Sequence, residues 1–292
     1  MSDRDFSFGK NWNDFLRHRL DSDTIAAAIR DTSDFIDRSE LKDLTFMDVG
    51  CGSGLFSYAA HAMGAQHITS FDIDPFSVQC CLTMKERAGN PQNWEVFEGS
   101  ILDSETLRRL PVVDIVYSWG VLHHTGDMWT AIRNTAHFVK PGGHLFISIY
   151  NALEYDSLTS YRGSHGWLQL KRAYNRRGRI GKRAMEGWFA GKDVLASLVS
   201  LRNPLRQISQ YKNKRGMSWW HDIVDWLGGY PYEFASAGDI FQFCRRELGL
   251  NLEKLKTTSS IGCNQFLFSR PTETTGTDPG TYSPSRPSVA GS

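Results

Sequence analysis

Residues 46–56 constrain the fold more than any other stretch, because they join an apolar strand to an acid and then to a glycine-rich turn. Asp48 lies near the end of the apolar run, and Gly50, Gly52 and Gly54 follow at alternate positions before a helix-forming stretch. Glycines at a strand-to-helix turn allow positive φ, and they let backbone N–H groups approach a ligand without a Cβ in the way. This segment therefore predicts a ligand site at the end of a buried strand.

Two departures from the dinucleotide-binding pattern indicate the kind of ligand. That pattern needs a further glycine where this chain has Leu55, since the glycine permits close helix packing beside a pyrophosphate. Asp48 would also repel a pyrophosphate, whereas it can accept a hydrogen bond from the ammonium group of an amino-acid-like ligand. Residues 68–72 form a second apolar strand that ends in Asp72, the place where a ribose diol would be held. A cationic, adenosine-containing cofactor fits these features best.

Further motifs continue in order along the chain. Residues 94–100 are typical of a third strand and its loop, residues 112–118 of a fourth strand followed by residues 119–125, and residues 139–143 introduce a fifth strand over residues 144–150. This ordered set resembles the class I S-adenosylmethionine-dependent methyltransferases. The resemblance implies an enzyme of that class with S-adenosyl-L-methionine as its cofactor.

The resemblance also implies the residues that would contact the cofactor. The adenine contact stays open between the Ser100 hydroxyl, the Ile101 backbone and Asp103, because the family often has an acid where this chain has Ser100. A similar Val-Leu-His-His run in the family mainly lines the cofactor, with a base role as the alternative. The predicted cofactor-binding residues are Asp48, Gly50, Cys51, Gly52, Gly54, Asp72, Ile73, Ser100, Ile101, Ser118, Trp119 and His123.

Bulk properties set the class of protein. The 292 residues carry a formal net charge of +1, which favours no particular partner. No run of eighteen or more apolar residues occurs and the N-terminus has no signal-peptide pattern, so we expect a cytoplasmic protein. The five cysteines are odd in number and lack metal-ligand spacing, which predicts buried thiols and no metal. Because Cys51 lies in the glycine turn, its alkylation is expected to block ligand binding.

From residue 46 to residue 150, strands alternate with helical segments, and this alternation predicts a parallel sheet. The fold class expected is α/β, a Rossmann-like, doubly wound, mostly parallel seven-stranded sheet with a reversed edge strand. An N-terminal helical cap or lid and a basic helical insertion after the fifth strand complete it. The predicted units are the cap at 1–43, the cofactor-binding core at 44–150, the insertion at 151–235, a C-terminal helix and strand hairpin at 236–270 and a disordered tail at 271–292.

The insertion carries the strongest regional charge bias, because residues 151–216 contain fourteen Lys or Arg and four Asp or Glu. Basic and apolar residues at helical spacing are typical of an amphipathic surface helix. Three interpretations remain open: helices that merely cover the site, a dock for an anionic lipid surface or lipid-linked substrate, and an RNA-binding element. The absence of a recognisable RNA-binding module makes nucleic acid the least favoured partner.

Residues 217–232 are dense in aromatic groups that line small-molecule pockets, with a packed aromatic cluster as the alternative. Here the chain resembles a bacterial group of methyltransferases that couple an N-terminal Phe-Gly-x-Asn-Trp to a Ser-Trp-Trp-His-Asp motif, without an assigned substrate. The predicted substrate-contacting residues are Trp12, Asn151, Trp219, Trp220, Tyr230 and Tyr232.

Methyl transfer from a sulfonium needs alignment of the acceptor and exclusion of water, and a hydroxyl acceptor also needs a base. We predict His221 as that base, with His124 in reserve. The favoured reaction is O-methylation of a small molecule or a lipid- or carrier-linked metabolite. The alternatives are N-methylation of an RNA or amine substrate and a non-catalytic cofactor binder. No obligate partner is evident, and peripheral membrane contact would occur through the insertion.

Overall fold

A computed structural model describes residues 22–154, 163–199 and 219–272 of the chain. Its helices are α1 Ser22–Ile36, α2 Leu55–Ala62, α3 Pro75–Arg87, α4 Ser104–Arg109, α5 Met128–His137, α6 Gly163–Asn175, α7 Arg179–Val199, α8 Trp219–Gly228 and α9 Ala237–Arg246, with a 3₁₀ turn at Leu122–His124. Its strands are β1 Thr45–Val49, β2 His67–Asp72, β3 Trp94–Glu98, β4 Val113–Trp119, β5 Val139–Tyr150, β6 Asn251–Lys256 and β7 Cys263–Ser269.

These strands form one seven-stranded sheet in the order β3-β2-β1-β4-β5-β7-β6. The first five strands in this order are parallel, and β7 runs antiparallel to both of its neighbours, β5 and β6. The predicted α/β class is confirmed, and the reversed strand is β7, which pairs with the outermost strand β6. Because parallel strands need crossover connections, helices cover both faces of the sheet.

The side chains of β1 point alternately to the two faces of the sheet, and each face carries an apolar core. Met47 and Val49 join one buried apolar cluster, and Phe46 joins the cluster on the other side. All three side chains are fully buried or nearly so. Successive side chains of a strand point to opposite faces, so a central strand that is apolar at almost every position fits only between two helical layers. Asp48, the one charged residue of β1, marks the site.

Side-chain caps fix where several helices begin. Asp74 accepts a hydrogen bond from the backbone N–H of Phe76 at the start of α3, and Pro75 follows in the first helical position. Ser236 and Asp239 form a reciprocal capping box at the start of α9. The predicted C-terminal helix therefore begins directly after Ser236. Such caps place the N-termini of the crossover helices next to the strand ends.

The described part of the segment between β5 and α9 contains three helices, and residues 151–154 and 229–236 at its two ends are not helical. Its helices α6, α7 and α8 pack around their own small apolar cluster, which contains Tyr174, Ala190, Ile223 and Leu227. A second cluster, built on Trp167 of α6 and Tyr232, joins this helical unit to the sheet. The insertion therefore rests on the end of the sheet at which the predicted site lies.

Several details differ from the expectations. Strand β5 begins at Val139 and not at residue 144, and the short helix α4 was not predicted. The described helix of the predicted cap, α1, packs on a face of the sheet, with the ring of Phe35 4.6 Å from that of Phe146. Residues 1–21, with the predicted substrate residue Trp12, and most of the predicted disordered tail lie outside the described residues.

Candidate cofactor and acceptor site

The glycine turn after β1 adopts the backbone conformation that its sequence requires. Gly50, Gly52 and Gly54 have φ values of 74°, 52° and 79°, a region that costs other residues about 1–2 kcal/mol. The N–H groups of Gly50 and Cys51 both donate to the carbonyl of Phe71, at 2.9 and 3.0 Å. These bonds tie the turn to the end of β2, so the two strand ends form one rim.

Asp72 holds this rim together from the end of β2. Its Oδ2 accepts from the N–H of Gly52 at 3.0 Å, and its Oδ1 accepts from the N–H of Asp74 at 2.9 Å. Burial raises the pKa of the Asp72 carboxyl to about 6, although these backbone hydrogen bonds oppose the shift. Each oxygen keeps lone pairs beyond these bonds, which suits a ribose diol.

Asp48 lies beneath the turn and is only 3% exposed. Its carboxylate accepts a 2.5 Å hydrogen bond from the Ser57 hydroxyl, which also contacts the Ser70 hydroxyl at 2.8 Å. Burial, assisted by the nearby negative charge of Asp72, raises the pKa of Asp48 to about 7. Within the described residues neither carboxylate forms an ion pair. Two adjacent acids without a cation make this rim suitable for a positively charged ligand.

Exposed apolar side chains surround the same rim. Ile73, which follows β2, is 60% exposed, Phe76 in the first turn of α3 is 47% exposed, and Trp119 at the end of β4 is 44% exposed. Gly120 has a φ of 73°, and a Cβ built on it would meet no atom within 4 Å. Exposed apolar groups beside an open space are typical of a ligand-binding surface. The arrangement fits a nucleoside whose ring lies against apolar groups.

The loop after β3 limits the alternatives for the adenine contact. Asp103 caps α4 by accepting from the N–H and hydroxyl of Thr106, at 2.9 and 3.1 Å, and the Ile101 carbonyl accepts from Asn134 at 2.8 Å. The Ser100 hydroxyl accepts from the N–H of Leu102 at 3.2 Å, which leaves its own O–H to donate. Ser100 and the Ile101 N–H therefore stay as the predicted contacts.

Two other predicted cofactor residues are buried within the rim. The Ser118 hydroxyl donates to the Val49 carbonyl at 3.0 Å and so fixes the end of β4 against β1. The Cys51 thiol is buried, and its hydrogen bond with Cys81, together with burial, raises its pKa well above the ordinary value. Since the thiolate is the reactive form, ready alkylation of Cys51 is not expected. The predicted burial of this thiol is confirmed, and the effect of its alkylation on ligand binding stays a prediction.

His123 and His124 lie in the 3₁₀ turn after β4, and their hydrogen bonds place the ring proton on different nitrogens. His124 Nδ1 lies 2.5 Å from the carbonyl of Pro231, so Nδ1 carries the proton and Nε2 keeps its lone pair. His123 Nδ1 instead accepts from the N–H of Tyr150 at 3.4 Å, which leaves the proton on Nε2. That buried Nε2 has no hydrogen-bond partner among the described atoms. The pair thus presents one donor and one acceptor.

Burial keeps both histidines neutral. Loss of water around the ring, with smaller contributions from His124 and Lys171, lowers the pKa of His123 well below its ordinary value. Burial likewise lowers the pKa of His124 to about 4, against the effect of its bond to Pro231. Near neutral pH, His124 is therefore unprotonated on one ring nitrogen, and its lowered pKa makes it a weaker base than an ordinary histidine.

Sequence reasoning missed two residues that complete this region, Tyr150 and Lys171. The ring of Tyr150 lies 4.1 Å from that of His123. Lys171 is only 2% exposed, donates to the Trp226 carbonyl at 2.5 Å and lies 5.1 Å from the Tyr232 ring centre. Its position between Trp167 and Tyr174 at helical spacing placed Lys171 on the inner face of a helix. This helical spacing is the sequence signal that could have identified Lys171 as a buried residue.

The predicted substrate residues fall into different environments. The Asn151 amide donates to the Thr258 carbonyl at 3.0 Å and accepts from Asn264 at 2.9 Å, so it has a structural role in the loop before β7. Tyr232 is buried beside Tyr150, with ring centres 5.1 Å apart. Trp220 packs against the apolar cluster that contains Tyr174 and Leu227. Tyr230 is partly buried. The side chains of Trp219 and His221, in the first turn of α8, lie outside the described residues.

No group of three or more His, Cys, Asp or Glu side chains in the described ranges is arranged to hold a metal ion. Comparison with known families gives a match between residues 47–145 and the family described as "Methyltransferase domain". These residues include the glycine turn, Asp72 and both histidines of the 3₁₀ turn.

Curated relatives share the same region. A ubiquinone biosynthesis O-methyltransferase of Methylobacterium sp. is 28% identical over 140 residues, which cover 44% of this chain and 53% of the relative. The protein of that name from Alkalilimnicola ehrlichii is 29% identical over 203 residues, which cover 68% of this chain and 77% of the relative. The chain thus spans about half the length of the first relative and three quarters of the second.

Among solved structures, a magnesium protoporphyrin IX methyltransferase from Synechocystis with bound SAH matches at a TM-score of 0.50 and 15% identity. The match covers 90% of this chain and 96% of that protein. At this level of identity the likeness concerns the fold alone, and it extends over nearly the whole of both chains.

Proposed function

We propose that this chain, a class I S-adenosylmethionine-dependent methyltransferase, transfers a methyl group to a hydroxyl oxygen of a small organic molecule. The observation that carries the choice of oxygen is the neutral His124, which carries its proton on Nδ1 because Nδ1 donates to the carbonyl of Pro231. The names of the curated relatives, which refer to O-methylation, support the same choice.

The rim fits S-adenosylmethionine by charge and by shape. Asp48 and Asp72 supply two carboxylates without a described cation, and Ile73 and Trp119 supply apolar surface. When bound, the cofactor supplies an electrophilic methyl group on a positively charged sulfur. The protein would hold the ammonium group near Asp48 and the ribose at Asp72.

The protein must also remove the proton of the acceptor hydroxyl and align the acceptor oxygen with the methyl group. We infer that His124 Nε2 takes the acceptor hydroxyl's proton as the oxygen forms its new bond to carbon. The Nε2–H of His123 would donate to the acceptor, which would satisfy the buried group that has no partner among the described atoms. His221, the base predicted from sequence, stays a second candidate for the same step.

Transfer of a labelled methyl group tests the proposed function directly. The purified chain would be incubated with S-adenosylmethionine labelled in the methyl group and with the small-molecule fraction of bacterial extracts. We expect label in a small molecule whose fragmentation places the methyl on oxygen. Label on nitrogen, or in RNA, would contradict the choice of acceptor, and binding of the cofactor without any transfer would make the chain a non-catalytic binder.

Replacement of His124 by alanine is expected to lower kcat by roughly 10²–10⁴-fold, the usual contribution of a general base. The affinity for S-adenosylmethionine should stay within a factor of about two, since His124 faces the acceptor. His137→Ala is the matched control, because His137 is an exposed residue at the end of α5. An equal loss of kcat and cofactor affinity in His124→Ala would show a structural role, and a loss confined to His221→Ala would assign the base there.

The affinity for S-adenosylmethionine is expected to rise with pH through about 7, the pKa of Asp48. Below this pKa the carboxyl is protonated and cannot attract an ammonium group, and above it the charge is present. Asp48→Asn should remove most of this dependence and weaken binding near pH 8 by about tenfold. Titration calorimetry over a pH series measures both effects. An unchanged pH profile in Asp48→Asn would mean that another group controls binding.

A further inference from the structure

Helix α7 has two apolar faces, of which its neighbours cover one. On the inner face Ala190 is buried, and Met185 and Phe189 pack against the cluster around Tyr174 and Leu227. These contacts hold the helix on α6 and α8. Packing of the inner face therefore fixes the position of α7, and the outer face needs no partner to keep the helix in place.

The outer face forms a continuous apolar stripe. Ile180 is 89% exposed, Trp188 55%, Leu195 61% and Val199 77%. With the exposed Ala184, Gly187 and Gly191 between them, these residues recur at helical spacing from one end of α7 to the other. At a rise of about 1.5 Å per residue the stripe is about 28 Å long. Single exposed apolar residues are common on proteins, but a stripe of this length is typical of an interaction surface.

Basic residues border this stripe. Arg179 and Arg183 are exposed on one flank and Lys192 lies on the other, with its Nζ 5.9 Å from the centre of the Trp188 ring. The acid Glu186 is buried on the inner face, where it accepts from Tyr174 at 2.7 Å and Arg183 at 3.0 Å. In sequence, residues 200–218, which follow α7, add five Lys or Arg and no Asp or Glu. The face thus has a positive border and no acid among its described exposed side chains.

We propose that this outer face of α7 lies on the surface of an anionic lipid membrane. An apolar stripe with a tryptophan, bordered by Lys and Arg, matches the boundary between acyl chains and negatively charged headgroups. The flanking cations would reach the headgroups while their stems cover apolar surface. None of the helices in the described ranges has the length and apolarity to cross a bilayer, so α7 would lie in the plane of the membrane. This proposal is independent of the methyl acceptor.

Vesicle co-sedimentation of the full chain tests the proposal. We expect binding to vesicles of phosphatidylglycerol and phosphatidylcholine in equal parts, no binding to phosphatidylcholine alone, and weaker binding as salt is added. Leu195→Asp should lower the bound fraction about tenfold, because it places a charge in the apolar stripe. Leu255→Asp makes the same change on a leucine that is 41% exposed on strand β6, and it should bind as the wild type does.

Thermal unfolding and cofactor titration would show that both variants are folded, independently of whether the proposed O-methylation is correct. Failure of the wild type to bind anionic vesicles would overturn the proposal, as would equal binding by Leu195→Asp. If the wild type is a dimer that does not bind vesicles, and Leu195→Asp is a monomer, the outer face of α7 would instead contact a second copy of this chain. Retention of RNA and not of vesicles would assign the outer face to nucleic acid. Each of these results contradicts a membrane surface as the occupant.

Discussion

Replacement of Asp72 by asparagine is expected to lower the affinity for S-adenosylmethionine by about two orders of magnitude. The two carboxylate oxygens accept from the N–H groups of Gly52 and Asp74. Asparagine keeps one acceptor and turns an NH₂ group toward one of these donors, which leaves a backbone N–H unsatisfied and destabilises the rim by about 1–3 kcal/mol in the free and the bound protein alike. The charge-assisted bonds to the ribose are lost as well, at about 1.5–3 kcal/mol.

Asp74→Asn is the matched control for this change. Asp74 caps α3 by accepting from the N–H of Phe76 at 2.9 Å, and asparagine is as good an N-cap as aspartate. We therefore expect nearly wild-type binding from this variant, although it lies only two residues from Asp72. Calorimetric titration with S-adenosylmethionine compares the wild type, Asp72→Asn and Asp74→Asn near pH 8, where the carboxyl groups of Asp48 and Asp72 in the wild type are ionised. Similar affinities in Asp72→Asn and the wild type would remove Asp72 from the site.

Gly54→Ala is expected to destabilise the protein by about 2–5 kcal/mol and to prevent cofactor binding. Part of this cost, about 1–2 kcal/mol, comes from the left-handed backbone at a φ of 79°. The rest arises because the added Cβ would lie 2.7 Å from the Cα of Cys81 in α3, and relief of such overpacking costs about 1–3 kcal/mol. A shift of α2 away from α3 would also open the turn that binds the ligand.

Gly64→Ala separates the two causes. Gly64 has a φ of 85°, but a Cβ built there meets no atom within 4 Å. This variant should lose only the backbone contribution of about 1–2 kcal/mol and should bind the cofactor normally. Urea unfolding gives both free energies. If the two alanine variants are equally stable, the close approach of α2 and α3 at Gly54 does not exist in solution.

The core and the cofactor rim could be predicted because their signals are local in sequence. The glycine turn follows directly on β1, Asp48 lies near the end of that strand and Asp72 ends β2. Parallel strands bring such ends to one edge of a sheet. The same reasoning gave the C-terminal helix α9 and the strand hairpin that β6 and β7 form. Order along the chain was enough for these features.

The acceptor side depends on contacts between distant segments, which the sequence does not reveal. The tautomer of His124 is set by Pro231, 107 positions along the chain, and Lys171 reaches the carbonyl of Trp226, 55 positions away. Asn151 was predicted to contact substrate, but its amide bonds belong to the loop before β7. The burial of Cys51 was predicted, but its hydrogen bond with Cys81 in α3 was not. No motif encodes packing of this kind.

Titration calorimetry of the full chain with S-adenosylmethionine near pH 8 tests most directly whether two acids without a cation form the site of a positively charged nucleoside. We predict saturable binding at one site per chain, with heat that disappears in Asp72→Asn and is preserved in Asp74→Asn. Absence of heat with S-adenosylmethionine, together with saturable binding of a nicotinamide or flavin dinucleotide, would contradict the assignment of the rim.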